Sequence, residues 1–361
     1  MGKLLSFVAI GALLASACGG GGPGPVAAPG SPSAAPPTTV ADIALYAAAD
    51  RQKVLEAGAK NEGTVSLYTS AVAPTMPLII EAFQAKYPFL KVEMYRADNA
   101  ELNQRFSQEE QAGKRIMDVL ETTTDGMTAF ISNKWLQPYA SPETAAYPKD
   151  SLHPQAIWAP TRASYVGLGY NTKLVSKADA PKTFDDLLDP KWKAKMSIAS
   201  SATGVRFVGN VLFSKGEDYL KKLGAQNVRV QNVSGRALAD LVVAGEIPLS
   251  PTIFDSHVAD SKSQGAPIEW VPLEPAVVNL AAAALSAKAP HPNASMLFID
   301  FLLSEQGQKI YFDHGYGSTR NGIGAGAATF KKLYLENVTP NYEESFAKWQ
   351  ALLRSTFTAQ R

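Results

Sequence analysis

One cysteine, four histidines and a formal net charge of +1 in 361 residues close off several functional classes at once. A lone Cys18 allows no disulfide within the chain and no structural zinc built on cysteine ligands. A near-neutral balance supplies no basic field for nucleic acid or for an anionic membrane surface. There is no Gly-x-Ser-x-Gly elbow and no His-Glu-x-x-His zinc motif, and Ser256-His257 read as neighbours in an extended run that would face opposite ways. A secreted hydrolase is therefore the weakest of the readings weighed. Long apolar runs are missing too. Leu4 to Leu14 is about eleven residues, too short to cross a hydrocarbon core of about 30 Å as a helix.

What is present at that end is ordered. Lys3 is followed by the short apolar core and then by Ala15-Ser16-Ala17-Cys18, which reads as a signal peptide over residues 1–17. Small residues before a cysteine resemble the lipobox of bacterial lipoproteins, which implies cleavage before Cys18 and lipidation of that residue. Gly19 to Thr39 is Gly, Pro, Ala, Ser and Thr with little else, so residues 18–40 read as a disordered tether of roughly 25 Å end to end. The expected location is outside the cell membrane, anchored by lipid, facing periplasm or extracellular space.

The remaining residues, about 320, suit two lobes of ordinary size. From Thr64 to Asn133 strands and helices alternate: Thr64–Tyr68, Pro77–Tyr87, Lys91–Tyr95, Asn99–Ala112, Met117–Leu120 and Met127–Asn133. An opening helix is expected over Asp42–Asn61. A second series runs through strands at Met196–Ala199, Val228–Val230 and Ile247–Phe254 and helices at Gly204–Lys215 and Ala237–Ala244. Alternation of this kind implies right-handed crossovers and mostly parallel sheets flanked by helices, an α/β fold.

Several phrases resemble one family. Lys182-Thr-Phe-Asp-Asp-Leu-Leu-Asp-Pro-Lys-Trp-Lys-Ala-Lys-Met196 is similar to a signature of extracellular solute-binding proteins of ABC importers, in the ferric-iron, thiamine and phosphonate group. Tyr170-Asn-Thr-Lys-Leu174, Gly245-Glu-Ile-Pro248 and Ala289-Pro-His-Pro-Asn-Ala294 fit the same pattern. The resemblance implies a two-lobed, class II periplasmic-binding-protein fold with a cleft between lobes and no enzymatic activity. Lobe 1 is expected over 41–166 plus about 281–335, and lobe 2 over 167–280 plus about 336–361. Arg162–Tyr170 and Pro272–Asn279 are the hinge candidates. The implied partners are a small solute and a membrane permease, with the receptor itself a monomer and no resident cofactor or metal.

Loops at strand ends that run into helix starts offer free N–H groups to an anion. Thr69 and Ser70, then Thr122 and Thr123, then Ser201, Thr203 and Gly204, then Ser234 fit that description. Asp255 and His257 complete the candidate set. Plain helix capping is the competing role for each Ser and Thr. Arg206, Arg236 and Arg320 are read as solvated surface residues before anion clamps. In iron-binding relatives the resemblance puts paired tyrosines at the positions of Asp255 and Ser256, a glutamate at Thr123 and a histidine near Ala71 or Val72. A hard ferric ion needs anionic oxygens, so the expected solute is a small anion such as a phosphonate, phosphate ester or carboxylate. Ferric iron or another metal chelate is the alternative.

Overall fold

The structure is a computed structural model that describes residues 37–71, 75–324 and 330–359. The expected signal peptide, Cys18 and all of the tether before residue 37 lie outside those residues. Residues 37–361 form a single compact unit.

Helices α1 (Val40–Leu45) and α2 (Arg51–Glu62) lead into β1 (Thr64–Thr69), α3 (Thr75–Lys86), β2 (Lys91–Arg96), α4 (Asn99–Gln111), β3 (Val119–Thr123) and α5 (Thr128–Ser132). A two-residue β4 (Leu136–Gln137) precedes the long β5 (Trp158–Asn171). The second series is β6 (Ser197–Ala199), α6 (Ala202–Lys215), α7 (Glu217–Gly224), β7 (Arg229–Gln231), α8 (Gly235–Ala244), β8 (Leu249–Phe254), α9 (Asp255–Ser263) and β9 (Ile268–Val271). Strand β10 (Ala276–Ser286) returns to the first series, followed by α10 (Pro292–Leu303), α11 (Glu305–Asp313), β11 (Lys332–Leu333), α12 (Leu335–Val338), α13 (Tyr342–Thr356) and β12 (Thr358–Ala359).

Strand β1 lies parallel between β2 and β3, and β10 runs antiparallel between β3 and β5. In the second series β7 lies parallel between β6 and β12, and a parallel bridge from Met196 to Leu249 brings β6 to β8. The two arrays share β5. Its first part, through Tyr165, pairs with β10, and from Val166 onward it pairs with β8 and β9. This is a mixed α/β architecture, with parallel strands and intervening helices in each series as the alternation implies.

Side-chain alternation decides which layer each strand supports. On β10, Leu280, Ala282 and Ala284 pack with Phe130 and Trp158. Ala283 and Leu285 face the other way, toward Phe298 and Leu302 of α10. Helix α10 is buried on nearly every side, so its start needs internal partners. Glu62 supplies them, accepting hydrogen bonds from the backbone N–H groups of Asn293 and Ala294. A separate core gathers Phe184, Phe207, Val208 and Leu353 around β6 and α6. Burial of each such side chain is worth about 1.5–3 kcal/mol.

The opening helix differs from the expectation. It breaks into α1 and α2, because the Asp50 end of the Ala47–Asp50 stretch forms a turn that starts a new helix. Ser256 and His257 differ as well. They belong to α9, whose first residue Asp255 places a carboxylate at the favoured end of the helix dipole.

Candidate functional site

Three loops of the first series meet at the ends of β1, β2 and β3. Thr69 is fully buried, and its hydroxyl donates to Glu121 at 2.6 Å while accepting from the Ala71 N–H. Glu121 also accepts from Thr161 and Arg162 on β5. Thr69 thus fixes the loop through a buried carboxylate and has no hydroxyl proton left for a solute. Thr122 Oγ1 stands 2.7 Å from Ser70 Oγ and 2.6 Å from Asn99 Oδ1. The Asn99 amide then donates to Thr123 Oγ1 at 2.7 Å. Ser70, Thr122 and Thr123 are therefore one cluster organised by Asn99, a residue that the sequence reading missed. Its signal was faint: an Asn just after the Asp98 cap of α4.

Three loops of the second series meet in the same manner. Thr203, near the start of α6, is 5% exposed, and its hydroxyl makes no hydrogen bond to a described residue. Ser201 caps α6 by position yet makes no capping bond, and its buried Oγ has no partner among the described residues. A Cβ on Gly235, the first residue of α8, would stand 3.7 Å from Thr203 Oγ1 and 3.6 Å from His257 Cε1. The starts of α6, α8 and α9 therefore converge on one place. Gly204 acts through its backbone, since an added Cβ would lie only 1.9 Å from the Ala199 carbonyl oxygen. Ser234 is a plain cap, accepting from the Ala237 N–H at 3.2 Å. His257 packs edge-on against Phe254. Burial, then the nearby Arg236, lowers its affinity for a proton.

Asp255 and His257 point apart despite their closeness in sequence. Asp255 Oδ1 accepts from the Tyr165 N–H at 2.8 Å, tying α9 to β5 where that strand changes partners. Burial pushes its carboxyl up to about 6. Beside it lies a cavity of about 410 Å³ lined by Tyr165, Trp270, Phe312, Tyr316 and Phe330 among others. Among the described residues no group of three His, Cys, Asp or Glu side chains is placed to hold a metal ion.

Arg206 corrects the surface reading. It is 2% exposed, in the second turn of α6, with Asp125 at 3.3 Å and Glu336 at 3.6 Å. Burial is the strongest single influence on the Asp125 carboxyl and raises it, but the Arg206 charge together with hydrogen bonds from Thr123, the Asp125 backbone and Arg206 outweighs it and holds Asp125 below the usual range. Asp125 lies two residues past Thr123, and Arg206 three past Thr203, so this pair joins the two loop clusters. Arg236 pairs with Asp240 and Asp260. Arg320 is also engaged, with Glu143 and the Leu303 carbonyl.

A shared strand, two α/β arrays and loop clusters joined across them define a two-lobed periplasmic-binding-protein fold. The chain belongs to the bacterial extracellular solute-binding protein family, whose profile matches residues 79–334. That is a family of exported solute binders, not of enzymes. Solved structures share the fold. Iron-bound HitA from Pseudomonas aeruginosa is 23% identical with a TM-score of 0.64, covering 81% of this chain and 99% of that one. The Trichodesmium IdiA (FutA) protein in complex with iron and citrate is 19% identical with a TM-score of 0.71, over 81% and 99% of the two chains. Ferric iron-binding protein A of Mannheimia haemolytica, in an open conformation, is 18% identical with a TM-score of 0.70, over 81% and 98%. An uncharacterised protein of Haemophilus influenzae is 29% identical over 161 residues, 42% of this chain. The match spans 46% of that curated relative, less than half its length. Among the described residues no helix is long and apolar enough to cross a membrane.

Proposed function

We propose that the protein is the solute receptor of an ABC importer, tethered to the membrane by lipid on Cys18, and that its cargo is ferric iron held within an anionic chelate. Iron or citrate in the names of the structural relatives favours a ferric cargo over a free organic anion. The residues at hand favour a chelate over a bare ion, because Asp255 and Ser256 stand where the family resemblance implies tyrosines. One observation carries the reading: the buried Ser201 hydroxyl, with no partner among the described residues, lies two residues from Thr203, whose hydroxyl stands where three helix starts converge. Helix N-termini attract anions through unpaired N–H groups and the dipole. A chelate presents carboxylate oxygens to those donors and keeps its own bonds to the metal.

Ser70, Thr123 and Asn99 would complete the enclosure from the other lobe, with β5 and β10 flexing near Tyr165–Val166 and Val278. Hinge closure around a solute is the usual motion of such folds. The permease receives the solute from the closed form, and a tether at Cys18 raises the receptor's local concentration there.

Calorimetric titration of the body from residue 37 with ferric citrate, citrate alone, phosphate and methylphosphonate tests the cargo. Saturable binding of ferric citrate and much weaker binding of the metal-free anions are expected. Equal affinity for citrate alone, or preference for methylphosphonate, would return the cargo to an organic anion. Cys18→Ser should move the full-length protein from the membrane to the soluble fraction. Retention at the membrane would remove the lipid anchor.

A further inference from the structure

The cavity beside Asp255 has a different chemistry from the anion-seeking helix starts. Among the described residues, the rings of Tyr165, Trp270, Phe312, Tyr316 and Phe330 line it together with one carboxylate, that of Asp255. The rings are fixed by the fold. Trp270 donates its indole N–H to the Ile253 carbonyl at 3.1 Å, and the Tyr165 hydroxyl donates to the Ser318 carbonyl. Phe330 meets the Tyr165 ring edge-on at 5.1 Å and the Trp270 ring at 5.7 Å. The walls come from β5, β9 and the start of α9 on one side and from the end of α11 and Gly315–Gly317 on the other. At about 410 Å³ the space suits a small organic molecule.

Charge selects the class of occupant. Among the described residues no Lys or Arg lines the cavity, while Asp255 does. Two cations outside the lining, Arg162 and Lys332, stand against its wall rings. Arg162 is bonded to Glu121 and stands 5.1 Å from the Tyr316 ring, and Lys332 stands 5.5 Å from the Tyr165 ring. Aromatic faces attract a cation, and a half-buried carboxylate lacking a cationic partner does so more strongly. Asp255 has no ion-pair partner among the described residues, and the hydrogen bonds it accepts come from neutral backbone N–H groups, those of Tyr165, Ser256 and Asp255 itself. We infer that this cavity is a binding site for a small organic cation, an ammonium group carried on an aromatic or alkyl body, with Asp255 as its counter-ion and the rings as its walls. None of Ser70, Thr123, Ser201 or Thr203 lines it, whereas Asp255 and Ser256 do, the two positions where the family resemblance implies tyrosines.

Two probes of matched shape, 2-phenylethylammonium and 2-phenylethanol, test the inference by calorimetry and by Trp fluorescence at pH 7.5. The ammonium is expected to bind at least about tenfold more tightly than the alcohol. Asp255→Asn keeps an acceptor for the Tyr165 N–H and should lose at least about tenfold of the ammonium affinity. Ala259→Trp, at an exposed position of the cavity lining, should abolish ammonium binding and leave ferric citrate binding unchanged. Absence of ammonium binding at millimolar concentration, equal affinity for the alcohol, or indifference to both substitutions would overturn the site. Loss of ferric citrate binding in Ala259→Trp would show that the cavity and the chelate site are one, which also contradicts the inference.

Discussion

Asp255 holds its proton more tightly in the folded chain than in the unfolded one, because burial lifts its carboxyl to about 6 from an ordinary value of about 3.9. The folded state therefore binds more protons between those values, and stability falls as pH rises through about 6. Above that range the ionised carboxylate costs on the order of 2–3 kcal/mol. Asp255→Asn should raise the thermal midpoint at pH 7.5 and give little advantage at pH 4, as read by circular dichroism. A midpoint lowered at both pH values would mean that the carboxylate is structurally required. A destabilising group kept at such a position is what a binding role produces. Arg206 works in the opposite sense. With Asp125 and Glu336 against it, Arg206→Met leaves two carboxylates in a buried place and should cost about 3–5 kcal/mol in urea unfolding. An unchanged midpoint would mean that water reaches the cluster. Neither effect was legible in the sequence. Arg206 is one basic residue among apolar neighbours, and its partners lie far away along the chain.

At the scale of elements, helix α6 depends on its approach to β6. Gly204→Ala would drive a methyl group into the Ala199 carbonyl and should cost about 2–3 kcal/mol, with binding lost in proportion to the displaced helix start. A stable, fully binding Gly204→Ala variant would show that the loop can give way. The alternation over β1 to α5 was readable because apolar spacing switches cleanly between the strand and helix periods. Helix α9 was not, since Asp255–Ser263 is polar and buries only Val258 and Ser261. Its placement comes instead from the Asp255 bond to β5, a contact between residues 90 positions apart. Loops rich in Ser, Thr and Gly did mark the strand ends. What they could not disclose is which hydroxyls are already engaged, as Thr69 is with Glu121, and which remain open, as Thr203 does.

The whole molecule is organised by β5, which belongs to both arrays and changes partners between Tyr165 and Val166. Its glycine-interrupted sequence drew attention to that segment, but the change of partners is a matter of long-range pairing that no local pattern records. If the arrays close on a solute about this strand, ferric citrate should lower the radius of gyration seen by X-ray scattering. An unchanged value at saturation would assign binding to a rigid body. The most direct test of the central claim is calorimetry of the soluble body with ferric citrate, followed by assay of citrate in the complex. The account predicts one equivalent of iron retained together with citrate, and weak binding of citrate alone. Iron retained with no citrate would contradict it, as would tight binding of the metal-free anion.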